Sequence, residues 1–129
     1  MGSSQLLLIS LVLFAVGTAS AVGIVMFNDG AISANRDALV SDLTDFASRA
    51  QNYYRRPRVF GGGEFSFNGC SINNITNKPS NDNGTYAVAS AAGNEMEITA
   101  TGIEAGSDGN PLSITMHVYP DSCRVVLNN

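Results

Sequence analysis

The chain has 129 residues and a formal net charge of −4, from seven basic and eleven acidic side chains. This length fits one domain with an extended appendage and is too short for a multidomain enzyme. Hydrophobic residues make up 44% of the chain and charged residues 14%, which argues against intrinsic disorder. The acidic balance also disfavours a nucleic-acid-binding surface. Residues 1–28 contain no Asp, Glu, Lys or Arg, so every charged side chain lies in the remainder.

Residues 6–27 form an apolar run that is interrupted only by small or weakly polar residues. As an α-helix rising about 1.5 Å per residue, this run would cross the roughly 30 Å hydrocarbon core of a bilayer. Three interpretations are open. The segment Ala19-Ser20-Ala21 has the small-x-small pattern of a signal-peptide cleavage site, although no basic residue precedes the run. Otherwise the run is a permanent single-span anchor, or a helix that leaves the membrane to pack with copies of itself.

The first nine residues read Met1-Gly2-Ser3-Ser4-Gln5-Leu6-Leu7-Leu8-Ile9. This start resembles that of a mature type IV pilin or pseudopilin, from which prepilin peptidase has removed a short leader. In that family the first residue is usually Phe or Met and the fifth is Glu, so Met1 fits and Gln5 departs. Because the amide of Gln5 carries no charge, it should guide docking onto a neighbouring α-amino group less strongly than a carboxylate would. We expect Met1 to be the processed N-terminus.

The resemblance implies a helical filament of identical subunits whose apolar helices pack together. The side chains expected in this core are Met1, Gln5, Leu6, Leu7, Ile9, Leu13, Phe14, Val16, Val22, Ile24 and Phe27. It also implies that the helix melts near Gly17 and Gly23 when the filament forms. The residues alone allow another interpretation, in which these glycines permit close helix contact in a bilayer.

Beyond Phe27 the apolar residues fall on one helical face, at Ile32, Leu39, Leu43, Phe46, Ala50 and Tyr53. The pattern predicts one nearly continuous helix from about residue 3 to residue 54, ending before Pro57. Its charges are separated along the chain, with Asp29, Asp37, Asp42 and Asp45 preceding Arg49, Arg55, Arg56 and Arg58. Staggered subunits would bring these two groups together. The alternative is an ordinary solvated face that contains an i, i+4 pair.

Gly61-Gly62-Gly63 is interpreted as a hinge before a region whose apolar residues alternate. This region predicts strands at 64–72, 85–91, 95–103, 112–119 and 123–127. We expect a hairpin about Gly93-Asn94, with Met96 and Ile98 inside and Glu95 and Glu97 outside. The predicted fold class is α+β, a long hydrophobic-then-amphipathic helix packed on a small antiparallel sheet. The predicted domains are a filament-core helix (1–28), an amphipathic helix (29–56) and a head (57–129).

Cys70 and Cys123 would most simply pair if the protein is exported, and two free thiols are the alternative. The resemblance implies the same disulfide, closing the C-terminal loop. Asn74 and Asn83 each begin a glycosylation sequon, so both are candidate modification sites.

No combination of residues indicates catalysis, and no cofactor is expected. His117 is interpreted as a surface or interface residue of a strand. Asp108-Gly109-Asn110 reads first as a turn, although with Glu104 and Asp121 it offers oxygen ligands for calcium.

The expected function is that of a major pilin in a type IV pilus-like filament serving adhesion or motility. Its expected partners are copies of itself, the membrane before assembly, prepilin peptidase and the pilus assembly machinery, without nucleic acid. It would lie in the inner membrane and then in an extracellular filament. The alternatives are a pseudopilin of a type II secretion system and a monomeric membrane-anchored binding module.

Overall fold

The computed structural model describes residues 2–129. Its fold class is α+β, as predicted, and its elements follow one another as α1 (Gly2–Arg55), a 3₁₀ turn (Arg58–Phe60), α2 (Ile72–Ile75), β1 (Ser80–Asn81), β2 (Gly84–Ala92), β3 (Glu95–Ala105), β4 (Pro111–Val118) and β5 (Cys123–Leu127). The chain divides into two compact units, of which the first ends at Ser33 and the second is Ala34–Asn129. The second unit contains the sheet and the C-terminal part of α1, and we call it the head.

The five strands form one antiparallel sheet in the order β1-β2-β3-β4-β5. The predicted hairpin is confirmed, because Ala92 lies opposite Glu95 and Gly93 takes the positive φ of 51° that a tight turn requires. Met96 and Ile98 are fully buried, whereas Glu95 and Glu97 lie on the opposite face, as the alternation predicts.

The core of the head lies between the sheet and one face of α1. Five of the six residues of the predicted apolar stripe are buried: Leu39, Leu43, Phe46, Ala50 and Tyr53. The sixth, Ile32, is only partly buried. Phe46 meets Tyr86 of β2 edge to face, with ring centroids 4.8 Å apart. The helix approaches β3 closely at Gly102, where a Cβ atom would overlap the side-chain oxygen of Asn35. A larger residue at this position would have to displace the Asn35 side chain, so glycine permits the close approach.

The strand predicted over 64–72 is wrong. Glu64 and Phe65 adopt positive φ angles of 50° and 64°, which no strand residue adopts. The backbone amides of Gly63, Glu64 and Phe65 instead donate to the carbonyl oxygens of Tyr53, Arg56 and Tyr54, at 2.9, 3.0 and 2.7 Å. The segment therefore caps the last turn of α1, whose carbonyls have no partner within the helix.

The triple glycine is likewise part of this cap, and the interpretation of Gly61-Gly62-Gly63 as a hinge is wrong. A Cβ atom at Gly62 would collide with the backbone of Arg56, and one at Gly63 would collide with the carbonyl of Ser66. Gly61 takes a φ of 79° and donates its amide to the carbonyl of Arg58 at 2.9 Å. Glycine is thus required here for close backbone contact and for a left-handed conformation.

Candidate assembly surface

The first unit presents an apolar helical surface that is exposed along its length within the described residues. Over its most apolar 18 residues the mean hydropathy is 2.3, and none of that window is buried. The described members of the predicted filament core are all exposed; they are Gln5, Leu6, Leu7, Ile9, Leu13, Phe14, Val16, Val22, Ile24 and Phe27. Met1, the remaining member, lies outside the described residues. A helix that is apolar all round is suited to lipid or to packed helices rather than to water.

The hydroxyl groups within this apolar surface bond to the helix itself. Ser10 donates to the carbonyl of Leu6 at 2.8 Å, and Ser20 donates to that of Val16 at 2.9 Å. Thr18 is within hydrogen-bond distance of the carbonyls of Phe14 and Ala15, at 3.1 and 3.0 Å. Transfer of a hydroxyl without a hydrogen-bond partner into an apolar medium costs free energy. Because these hydroxyls are already bonded, the whole surface can be placed in lipid or among packed helices at less cost.

Gly17 and Gly23 lie within the continuous helix α1. A Cβ atom at either position would meet nothing within 4 Å, so both glycines face open space. The chain is therefore helical where melting is predicted, and the melting remains a prediction.

Half of the eight charged side chains proposed to act between subunits form ion pairs within the head. Asp45 and Arg49 form the expected i, i+4 pair at 3.0 Å. Arg55 lies 3.7 Å from Asp121 and donates to the carbonyl of Pro120 at 3.1 Å. The Nε atom of Arg58 lies 3.5 Å from a carboxylate oxygen of Glu64. Over residues 2–129, the proposed charges that form no ion pair are Asp29, Asp37, Asp42 and Arg56.

Asp42 has a different role, because it fastens α1 to the start of the sheet. One of its carboxylate oxygens accepts hydrogen bonds from the side-chain amides of Asn81 and Asn83, both at 3.0 Å, and from the hydroxyl of Tyr86. Burial would raise the pKa of Asp42, but these three donors outweigh it and hold that pKa below its ordinary value. For Tyr86, burial and the neighbouring carboxylate raise the pKa of the phenol. Asp42 is thus a structural residue of the head.

The predicted disulfide is not present, since Cys70 and Cys123 are both free thiols. The prediction assumed a first strand over 64–72 that would carry Cys70 into the sheet. Cys70 lies instead in the loop before α2, while Cys123 begins β5, an edge strand that pairs with β4. Burial raises the pKa of the Cys70 thiol to about 11, so this thiol stays protonated and unreactive at neutral pH.

The two sequons lie in different environments. The side-chain nitrogen of Asn83 donates to Asp42, so a sugar on that nitrogen would break a bond of the fold. Asn74 is exposed and uses its side-chain oxygen to accept bonds from the amide and hydroxyl of Ser71, both at 2.8 Å. Among residues 2–129, none bonds to the side-chain nitrogen of Asn74, which therefore remains the candidate for glycosylation.

The proposed calcium ligands do not converge. The carboxylate of Asp108 accepts bonds from the backbone and side-chain amides of Asn110, at 3.0 and 3.2 Å, and from Asn129 at 3.0 Å. These bonds lower the pKa of Asp108 and fit the turn interpretation. Within the described chain, the one group of three metal-ligating side chains is elsewhere, at Glu95, Glu97 and His117. Glu104 and Asp121 therefore do not join Asp108.

The convergence of Glu95, Glu97 and His117 was missed from the sequence. The spacing of the two glutamates places them on one face of a strand, which was recognised. The position of His117 beside them depends on the register between β3 and β4, which no local pattern specifies.

No protein-family model, no curated protein and no solved structure matches this chain.

Proposed function

We propose that this chain is the repeating structural subunit of a type IV pilus-like extracellular filament. In this proposal the apolar surface of residues 6–27 first lies in the inner membrane, which requires prepilin peptidase and an assembly machinery. It then packs against the same surface of neighbouring subunits. The head is presented for adhesion or motility.

One observation carries the proposal, the combination of an unburied apolar helix with a folded head on the same chain. Membrane lipid or other helices must cover a surface of this hydropathy, because about 25 cal/mol per Å² of apolar surface opposes its exposure to water. The hydroxyl groups of Ser10, Thr18 and Ser20 are already bonded to the helix, so either cover is compatible with them. The N-terminal resemblance favours cover by copies of the same chain.

The ion pairs refine the proposed contacts between subunits. Arg49, Arg55 and Arg58 have acidic partners within their own head, so they are less available to a neighbour. Asp29, Asp37 and Arg56 form no ion pair over residues 2–129. These three are therefore the charges that we propose for the contact between staggered subunits.

Electron microscopy of appendages sheared from cells that express the chain tests the proposal. We expect long filaments composed of this chain. A short periplasmic assembly, with loss of secretion when the gene is deleted, would indicate a pseudopilin of a type II secretion system. A chain that stays in the membrane as a monomer would indicate an anchored binding module. Either of these two results contradicts the filament proposal.

The variant Leu13→Asp tests the role of the apolar surface. A carboxylate at this position would lie unpaired among lipid tails or packed helices, at a cost of several kcal/mol. We expect sheared filaments to disappear, whereas the head of the purified variant in detergent should keep the protease resistance of the wild type. Leu13→Met is the matched control and should assemble normally. Normal filaments from Leu13→Asp would contradict the proposed packing of the apolar helices in the filament core.

A further inference from the structure

Three side chains that can bind a metal converge on the face of the sheet opposite α1. Glu97 of β3 lies directly opposite His117 of β4, and Glu95 lies two residues from Glu97 on the same face. The Nδ1 atom of His117 is 3.1 Å from a carboxylate oxygen of Glu95 and 3.3 Å from one of Glu97. One ligand atom from each of the three residues lies within 4.8 Å of the other two. The two strands therefore hold one nitrogen and two oxygens around a common point.

These distances match those between ligands of a small divalent ion. In a tetrahedral zinc site with bonds of about 2.0–2.1 Å, neighbouring ligand atoms lie about 3.3 Å apart. The two separations from Nδ1 are close to this value. The third edge, between the carboxylates, can shorten by rotation of a glutamate side chain, because Glu95 is half exposed. Three protein ligands with one position open to water form a common arrangement for zinc.

The electrostatics also favour a cation at this point. Two carboxylates on one strand face repel each other, and among residues 2–129 their ion-pair contacts are limited to His117. A single N–H at Nδ1 cannot point straight at both carboxylates, so one of them lacks a well-aligned donor. Arg124 lies opposite His117 on β5, and its exposed side chain forms no ion pair over the same residues. A divalent cation bound between them would neutralise both carboxylates.

We propose that Glu95, Glu97 and His117 form a binding site for a divalent transition-metal ion, with zinc as the probe. Glu95 and Glu97 supply oxygen ligands, Nδ1 of His117 supplies the nitrogen, and water occupies the fourth position. The hydroxyl of Tyr119 lies 3.4 Å from the same oxygen of Glu95 and is placed to orient this carboxylate. An imidazole ligand selects zinc over Mg²⁺ and Ca²⁺, which prefer oxygen alone.

Isothermal titration of the full-length chain in a mild detergent with ZnCl₂ tests the site. We expect one Zn²⁺ to bind per chain, and an excess of Mg²⁺ should not compete. Glu97→Gln and His117→Asn should each weaken binding by more than about tenfold, since even the loss of a group behind a metal ligand costs 10–100-fold. Glu104→Gln is the matched control: it removes one carboxylate from the same strand outside the cluster, and it should bind like the wild type.

A measurement on the unsubstituted chain keeps the test independent of how the variants fold. The chain contains one histidine, so ¹⁵N-histidine labelling gives a single pair of imidazole signals. Addition of Zn²⁺ should shift the Nδ1 signal as a direct ligand and should leave Nε2 protonated. Three results would each overturn the proposal: no saturable binding, coordination through Nε2, or equal affinity in the wild type and His117→Asn. The test does not depend on whether the chain forms filaments.

Discussion

The two parts of helix α1 contain similar apolar side chains but bury them differently. Residues 2–33 include no buried position, whereas between Asn35 and Tyr53 the helix buries seven residues against the head. The second part is an amphipathic helix packed against the head, and in the first part residues 6–27 are apolar on every side. Helix α1 thus contains one apolar surface that packs against the head and one that is exposed within residues 2–129.

The largest difference between the two parts is expected for truncation of a leucine. Leu43 is fully buried, so Leu43→Ala should destabilise the head by about 3 kcal/mol through lost burial and the cavity left behind. Leu13 is 68% exposed, so Leu13→Ala should leave the unfolding free energy of the head unchanged. Denaturant unfolding of both variants in detergent, followed by near-ultraviolet circular dichroism, measures the two values. Equal destabilisation would mean that the two parts are not independent.

A smaller effect is expected at Asp42. Asp42→Asn retains the shape of the side chain but replaces the carboxylate that accepts three hydrogen bonds with a neutral amide. This should lower the unfolding free energy of the head by about 1–2 kcal/mol at pH 7. The folded-state pKa is lowered, so the contribution of the carboxylate is present above the unfolded value of about 3.9 and is lost as the pH falls through the folded value. The wild type should therefore lose its advantage over Asp42→Asn below about pH 4.

Unfolding curves collected from pH 7 to pH 2.5 test this dependence. Asp37→Asn is the control, because Asp37 is an exposed residue of the same helix and forms no ion pair within residues 2–129. Its stability should follow that of the wild type at every pH. A constant difference between the wild type and Asp42→Asn down to the lowest pH would show that the charge of Asp42 contributes nothing.

The smallest effect is expected at Gln5. Its side chain is a neutral amide, which provides weaker docking than a carboxylate would. Gln5→Ala should therefore still assemble, with at most a slower appearance of filaments. The yield of sheared filaments over time, compared with that of the wild type, measures the change. Complete loss of assembly would assign the amide a required contact between subunits.

The elements that were predicted correctly are those with a strong local period. Helix α1 changes from apolar on all sides to apolar on one side, and inside and outside residues alternate along much of β2, β3 and β4. The segment 64–72 also alternates in part, yet its amides cap the end of α1 through contacts that no local pattern encodes. Without that strand the pairing of Cys70 with Cys123 had no basis.

The two clusters of polar side chains could not be predicted, because each forms only through strand register or through contacts between residues distant in sequence. The sequence predicted Asp42 as one of the charges between subunits, because nothing near it in sequence indicates that Asn81, Asn83 and Tyr86 bond to it. Glu97 and His117 are twenty positions apart and become neighbours only through the pairing of β3 with β4. Sequence reasoning therefore identified the apolar helical surface, which is a local feature, and missed the two polar clusters, which depend on contacts between distant residues.

Because the side-chain nitrogen of Asn83 donates a hydrogen bond to Asp42, the pattern of glycosylation should depend on whether the glycan is added before or after the head folds. Transfer of a glycan requires the side-chain nitrogen of asparagine, and the folded head already uses that nitrogen at position 83 while leaving it accessible at position 74. A chain modified after it folds would carry a glycan on Asn74 alone. Glycans on both Asn74 and Asn83 would indicate that transfer occurs before the sheet packs against α1.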